Sequence, residues 1–532
     1  MSLVSRRNVL GVCVGLLLFG FLNDFALAWQ FGTGNPPVKP ARNNSRDATA
    51  TLEKRTAQEK EGRELFVQDW SRPESKPATG GDGLGPMYNA VSCVACHEQG
   101  GTGGGGDGRK NVRLLHMVAI SGAPLRTTVT GEAVQKTRLQ VHPEMAGVTS
   151  VVLHRHQFKD GSDLDDYQQW LGHRLPRHLV DRHTLRPLNP EVQMASAASR
   201  SRNALEEVSN LYRVEGLPVR MTERNTTSLF GAGLIDSIPD SAIVEQAERQ
   251  KKHHAPLISG RVATDSSGRI GRFGWRGQGF SLREFVMTAC SVELGLDVPG
   301  HSQTLPVVGR EKLLDGVAIN GQQVGAPKLD LTQEQCNSLT VYVAGLPVPQ
   351  IARSASLTQA KSVQRGSVLF EKLGCVVCHV SDVGGVTGLF SDLLLHDMGP
   401  NLSDPLPAIP ELDEHITPGH NGSAYGQSFR IELVKNITTN IHQEWRTPPL
   451  WGVGSSAPYL HDGRAATLEQ AIQAHGGEGQ RAAEEFRALK PDERTELTTF
   501  LRSLAAPGDS PLMMPRLGGG AAGGGGGGGG FF

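Results

Sequence analysis

Apolar side chains return at helical spacing in two stretches of the chain. From about Gln333 to Ala344, the positions Leu339, Val343 and Leu346 fall in register. From about Pro491 to Leu504, Leu497, Phe500, Leu501 and Leu504 do the same. Two further helix starts carry the capping-box form, a hydroxyl followed three residues later by Glu or Gln: Ser281-Leu282-Arg283-Glu284 and Thr467-Leu468-Glu469-Gln470. The run Thr149-Ser150-Val151-Val152-Leu153 predicts a strand. Near the beginning, Arg6 and Arg7 precede an apolar run from Val9 to Phe21, followed by Ala26-Leu27-Ala28 before Trp29. This is the form of an export signal over residues 1–28 with an A-x-A cleavage site. Ser5 to Leu10 also resembles a twin-arginine signal. The run is short for a bilayer span, an uncleaved anchor being the other reading, and no other segment reaches 18 consecutive apolar residues. The expectation is an exported or periplasmic protein with no stable membrane span after cleavage.

Composition narrows the classes. A chain of 532 residues has room for two to four domains at ~150 residues each. Its 53 Lys+Arg balance 54 Asp+Glu, and this lack of basic excess argues against nucleic acid as a partner. The 65 glycines, about 12% against a ~7% norm, predict many turns, and those from Gly518 onward predict a flexible tail over 507–532. Seven cysteines are too few for a disulfide scaffold. Cys13 lies in the signal, and Cys290 and Cys336 read as buried thiols or a disulfide.

The other four cysteines stand in one motif that occurs twice, Cys93-Val94-Ala95-Cys96-His97 and Cys375-Val376-Val377-Cys378-His379. C-x-x-C-H is the attachment sequence of c-type haem. Two thiols at this spacing reach both vinyl groups of one porphyrin as thioethers, and the next residue, His, becomes the proximal iron ligand. A zinc site would need two more ligands per pair, and a thioredoxin-like pair would be expected near a βαβ pattern. The cofactors read from this are two covalently attached haem c groups, held by Cys93, Cys96, His97 and by Cys375, Cys378, His379.

The surroundings of the two motifs are duplicated. Gly62 to Phe66 matches Gly366 to Phe370 before them. After them Arg224 to Gly231 matches Arg446 to Gly452, then come the two capped starts, then the two apolar-periodic helices. The chain therefore reads as mainly α, with two tandem cytochrome-c-like units at 56–345 and 366–506. Residues 29–55 and 346–365 are linkers, the latter broken by Pro347 and Pro349. A stretch at about 111–215 has no counterpart in the second half and is a partly β or irregular insertion.

These residues resemble the bacterial di-haem cytochrome c peroxidase superfamily, and more closely its branch of di-haem oxidoreductases, sometimes labelled thiol oxidoreductases. The resemblance covers roughly 56–506. It rests on Ser92 to His97, Arg272-Phe273-Gly274-Trp275, Ser391 to Pro400 and Ala457 to Arg464. It implies one peroxidatic haem, one electron-delivering haem, a tryptophan between them and a calcium ion at the domain interface. Trp275, seven residues before Leu282, matches the bridging tryptophan, and the same offset in the second repeat gives His461. Val292-Glu293-Leu294 stands near the place of the family's V-E-M string, so Glu293 matches the carboxylate that serves the peroxide. Phe285 stands where related peroxidases carry Gln.

The sixth iron ligand separates electron transfer from catalysis, since a closed iron passes electrons and an open one binds peroxide. His475 falls where other members have Met and is the first candidate ligand of the second haem, with His396 and Met398 as competitors. Aligned on the helix starts, the first repeat has Ala289 there, which cannot ligate. His116, 19 residues after His97, could ligate or be a core histidine, and His154 and His156 alternate along an apparent strand. The function expected is an exported di-haem oxidoreductase of peroxidase type. It would reduce hydrogen peroxide, or another small substrate, with electrons from a small redox protein. The alternatives are an electron carrier without a substrate and a di-haem oxidase of an organic or protein substrate.

Overall fold

The computed structural model describes residues 45–75, 77–117, 150–157, 164–175, 211–214, 217–265, 267–307, 328–349, 356–403 and 443–507, with residue 354 and short pieces between 136 and 145. The expected export signal, its cleavage site and nearly all of the glycine-rich tail lie outside the described residues. Among the described residues, no helix is long and apolar enough to cross a membrane. Met1–Lys54 and Arg55–Phe532 form two units, and everything below concerns the second.

Helices carry most of the core, but the described residues also form four small sheets, so the fold is mixed rather than simply α. The chain starts with α1 (Ser45–Val67), and β1 (Met87–Tyr88) lies just before the first C-x-x-C-H motif. The insertion then supplies β2 (Val112–Met117), β3 (Ser150–Leu153), β4 (His156–Gln157), α2 (Leu164–Arg174) and β5 (Leu211–Val214). Its sheet runs β3-β2-β6-β5 and takes in β6 (Leu217–Arg224), beyond the boundary expected from sequence. Along β2 and β3 both faces are buried, which explains the unbroken apolar run at Val151 to Leu153. Leu114 and its partner Val152 cluster with Val292, while Leu115, Val151 and Leu153 pack with Tyr167 and Leu171 of α2.

The helices follow as α3 (Ala232–Ser237), α4 (Asp240–His253), α5 (Leu282–Glu293) and α6 (Gln333–Ala344). The second half holds α7 (Leu357–Lys372), α8 (Leu468–Gln473), α9 (Gln480–Ala488) and α10 (Pro491–Ser503), with the strands β7 (Asp382–Val383), β8 (Val386–Thr387), β9 (Leu395–Asp397) and β10 (Glu444–Arg446). Helix α7 begins inside the stretch expected as linker, because Ser356 caps it by accepting from the Gln359 N–H. Thr467 forms a full capping box with Gln470, whereas Ser281 makes only the forward half.

The internal repeat is physical. Gly62 on α1 lies so close to α6 that a Cβ would fall 2.0 Å from the Ser338 carbonyl oxygen. Gly366 on α7 meets α10 in the same way, 2.1 Å from the Glu496 carbonyl oxygen. Only a residue without a side chain allows either helix crossing. Four residues on, Phe66 stands 6.3 Å from His97 and 5.3 Å from Tyr342. Phe370 stands 6.2 Å from His379 and 5.4 Å from Phe500.

Candidate haem sites and the junction between them

Each motif histidine is fixed by a carbonyl. The Nδ1 of His97 pairs with the Gly104 oxygen at 3.0 Å, and that of His379 with the Phe390 oxygen at 2.9 Å. The brace of His379 is thus the Phe390 carbonyl. Burial pulls both imidazoles down to about 4, so each is neutral, the form in which a histidine ligates a metal. Burial pushes Cys93 and Cys375 up to about 12 and Cys96 up to about 11. Burial thus holds these thiols in their neutral form. Cys290 and Cys336 are free buried thiols.

The second motif opens on a cavity of about 910 Å³ lined by Cys375, Cys378, His379, His396, Met398, Trp445, His461 and His475. His475, just past α8, has its Nδ1 bonded to the Ala471 carbonyl at 2.8 Å, which leaves Nε2 uncommitted. His396 differs: its Nε2 pairs with Asp392 Oδ2 at 2.9 Å and its Nδ1 with Glu478 Oε2 at 2.5 Å. Both ring nitrogens of His396 thus meet carboxylates, whereas one of His475 meets a backbone carbonyl. Against the pull of burial, the neighbouring Cys378 and Asp392 hold its pKa well above the usual value.

The first motif faces a smaller cavity of about 90 Å³, lined among others by Cys93, Cys96, His97, Trp275, Phe285, Ala289 and Glu293. A porphyrin needs more space than this, so attachment there requires the walls to part, although the donor chemistry matches that of the second site. Glu293 ends α5. Its Oε2 accepts from Asn89 Nδ2 at 2.8 Å, and its Oε1 is shut off from solvent and has no hydrogen-bond partner. Burial raises this carboxyl to about 7, against the opposing effects of Asn89 and Arg155. Ala289, one turn earlier, lines this cavity where His475 lines the other. His116 is a core residue of β2, its Nε2 2.7 Å from Thr222 Oγ1. His154 bonds the Val292 carbonyl at 3.0 Å, and His156 stacks on Tyr88.

Trp275 lines both cavities, and its Nε1–H donates to the Asn225 carbonyl at 2.8 Å. Beyond it, His461 stacks on Trp445 with ring centres 3.6 Å apart, and the Arg224 and Arg276 guanidiniums lie over the Trp445 ring.

The profile of the family described as "Di-haem oxidoreductase, putative peroxidase" matches residues 184–410 and 435–504, more than half of the chain. The chain belongs to the di-haem oxidoreductase family. Relatives include "Cytochrome-c peroxidase IdrP1" of Pseudomonas sp. (strain SCT), 29% identical over 152 residues, which cover 27% of this chain and 40% of that one. "Hydrazine synthase subunit gamma" of Kuenenia stuttgartiensis is 30% identical over 166 residues, 28% of this chain and 42% of that one. The matches thus span about two fifths of these relatives' length. Among solved structures, a MauG-like protein associated with microbial copper homeostasis is similar at 16% identity and a TM-score of 0.24, over 51% of this chain and 90% of that one. Membership of the di-haem oxidoreductase family implies haem c at both motifs, and the buried neutral thiols and braced imidazoles fit that group.

The structure places Glu293, Trp275, His475 and both motifs, all named from the sequence, on the walls of the two cavities. Sequence reasoning missed Asn89, Arg155 and the Trp445–His461 stack. Asn89 and Glu293 lie 204 residues apart, and no local pattern announces such a pair.

Proposed function

We propose that this chain is an exported di-haem peroxidase built from two tandem cytochrome-c-like units. It reduces hydrogen peroxide at the first haem, with electrons from a small redox protein delivered through the second. The observation that carries this reading is the difference between the two cavity walls. The first places Ala289 and the unpartnered Glu293 Oε1 where the second places His475.

Haem, when bound, supplies the electrons and the coordination site for peroxide. The chain's own residues do the rest. Glu293 takes the proton of the nearer peroxide oxygen and returns it to the departing one, so that H2O2, two electrons and two protons give two waters. A carboxyl poised near 7 is matched to both transfers. His475 closes the second site and restricts it to electron transfer, and Trp275 links the sites. The Oδ1 of Asn225, buried at the junction and without a donor, is an oxygen fit to hold the calcium that the family implies. The test is the reaction of half-reduced holoprotein with hydrogen peroxide, wild type against Glu293→Gln.

A further inference from the structure

We propose that Asn89 is the positioning residue of the Glu293 carboxylate, and that the insertion sheet holds Asn89 in the one orientation that serves it. This rests on the peroxidase reading and assigns the insertion a part in the first site.

Glu293 sits at the C-terminal end of α5, where the helix dipole disfavours a negative charge. The segment from β1 reaches over this end. The Asn89 and Ala90 N–H groups both donate to the Glu293 carbonyl, at 2.8 and 3.3 Å. The Asn89 side chain then turns to the Glu293 side chain, Nδ2 to Oε2 at 2.8 Å.

The amide's orientation follows from its other end. The Arg155 backbone N–H, between β3 and β4, donates to Asn89 Oδ1 at 3.0 Å. A backbone N–H can only donate, so the atom it meets is the amide oxygen, and the NH2 group must face Glu293. The insertion grips the same place twice more. Tyr88 pairs with His156, and the His154 ring bonds the carbonyl of Val292, the residue before Glu293. Glu293 Oε2 is therefore tied down and Oε1 is left as the oxygen free to carry a proton. The charged and titratable groups around it are Arg155 from the insertion and, on the cavity wall, Lys110, Arg224, Cys93, Cys96, His97 and Cys290. Phe285 supplies no amide here, and the amide that meets Glu293 comes from Asn89 instead.

The experiment uses the holoprotein and two variants, Asn89→Ala and Asn89→Asp. The second keeps the acceptor for Arg155 but turns an oxygen toward Glu293. Two quantities are followed against pH: the rate of the half-reduced protein with hydrogen peroxide, and the infrared carboxyl band that Glu293→Gln abolishes. Loss of the donor disfavours the carboxylate. Both midpoints should rise by about one pH unit, a tenfold change in proton affinity. The rate should fall about fivefold at pH 7, where half of the wild-type carboxyl is ionised, and recover at high pH. A merely structural role would lower the rate at every pH and leave the midpoints in place. Unchanged midpoints in both variants, or in Asn89→Asp alone where Asn89→Ala does not fold, overturn the assignment. If Glu293→Gln reacts as fast as wild type, the peroxidase reading fails instead, and the infrared midpoint alone decides the role of Asn89.

Discussion

Trp275 and His461 occupy the same place in the two repeats, and each accepts a backbone hydrogen bond from the other repeat's strand end. Trp275 lies inside a bridge from Phe273 to Gly279, and His461 inside one from Tyr459 to Ala465. The Arg446 N–H, at the end of β10, donates to the Trp275 carbonyl at 2.8 Å. The Asn225 N–H, just past β6, donates to the His461 carbonyl at 2.7 Å. The reciprocal bonds fix the indole between the two cavities. Trp275→Phe removes the Nε1–H bond to Asn225 and shrinks the ring. After peroxide is mixed with half-reduced protein, oxidation of the second haem should slow by about tenfold or more, while peroxide binding at the first is unchanged.

His475 sets the second site. Met in its place should raise the potential of the second haem, because His/Met ligation does so relative to His/His. His475→Ala should leave that iron able to bind carbon monoxide when reduced. Redox titration and absorption spectra of the two variants check both outcomes.

Glu293 makes stability depend on pH with a definite sign. Its carboxyl is raised from 4.5 to about 7 by burial, so between these values the folded chain holds the extra proton. Stability must then fall as pH rises through that window. The cost is complete above about 8 and is at most on the order of 3 kcal/mol. Glu293→Gln should therefore gain stability over wild type at pH 8 and little at pH 4. Thermal unfolding of the two holoproteins at both pH values measures the difference.

Gly366 tests the repeat architecture. Alanine there would drive a Cβ to 2.1 Å from the Glu496 carbonyl oxygen, so α7 and α10 must separate. A loss of about 1–3 kcal/mol is expected. Gly62→Ala should lose a similar amount at the α1–α6 crossing, while alanine at Gly172, with nothing within 4 Å, should not destabilise. Thermal midpoints of the three variants decide it.

What was legible in the sequence was local. The two C-x-x-C-H motifs, the Ser281 and Thr467 caps and the helix Gln333–Ala344 are set by neighbours within a few residues. The offset that pairs Trp275 with His461 also survived, because each turn is closed over six residues. What was not legible depends on distant chain. The carboxylates that meet His396, Asp392 and, 82 residues away, Glu478, carry no local sequence signal as a set. Of the insertion sheet the apolar run of β3 was legible, whereas β2, buried on both faces, lacks the alternation that marks a strand.

The central claim is that the first site is open and Glu293 moves the proton there. The most direct measurement is stopped-flow mixing of half-reduced holoprotein with hydrogen peroxide, following the haem absorption bands of wild type and Glu293→Gln. The account predicts oxidation within seconds in wild type and a loss of about a hundredfold or more in the variant, the range of general acid–base catalysis. No spectral change over minutes in wild type would contradict it, and would leave a closed electron carrier or an enzyme for another oxidant.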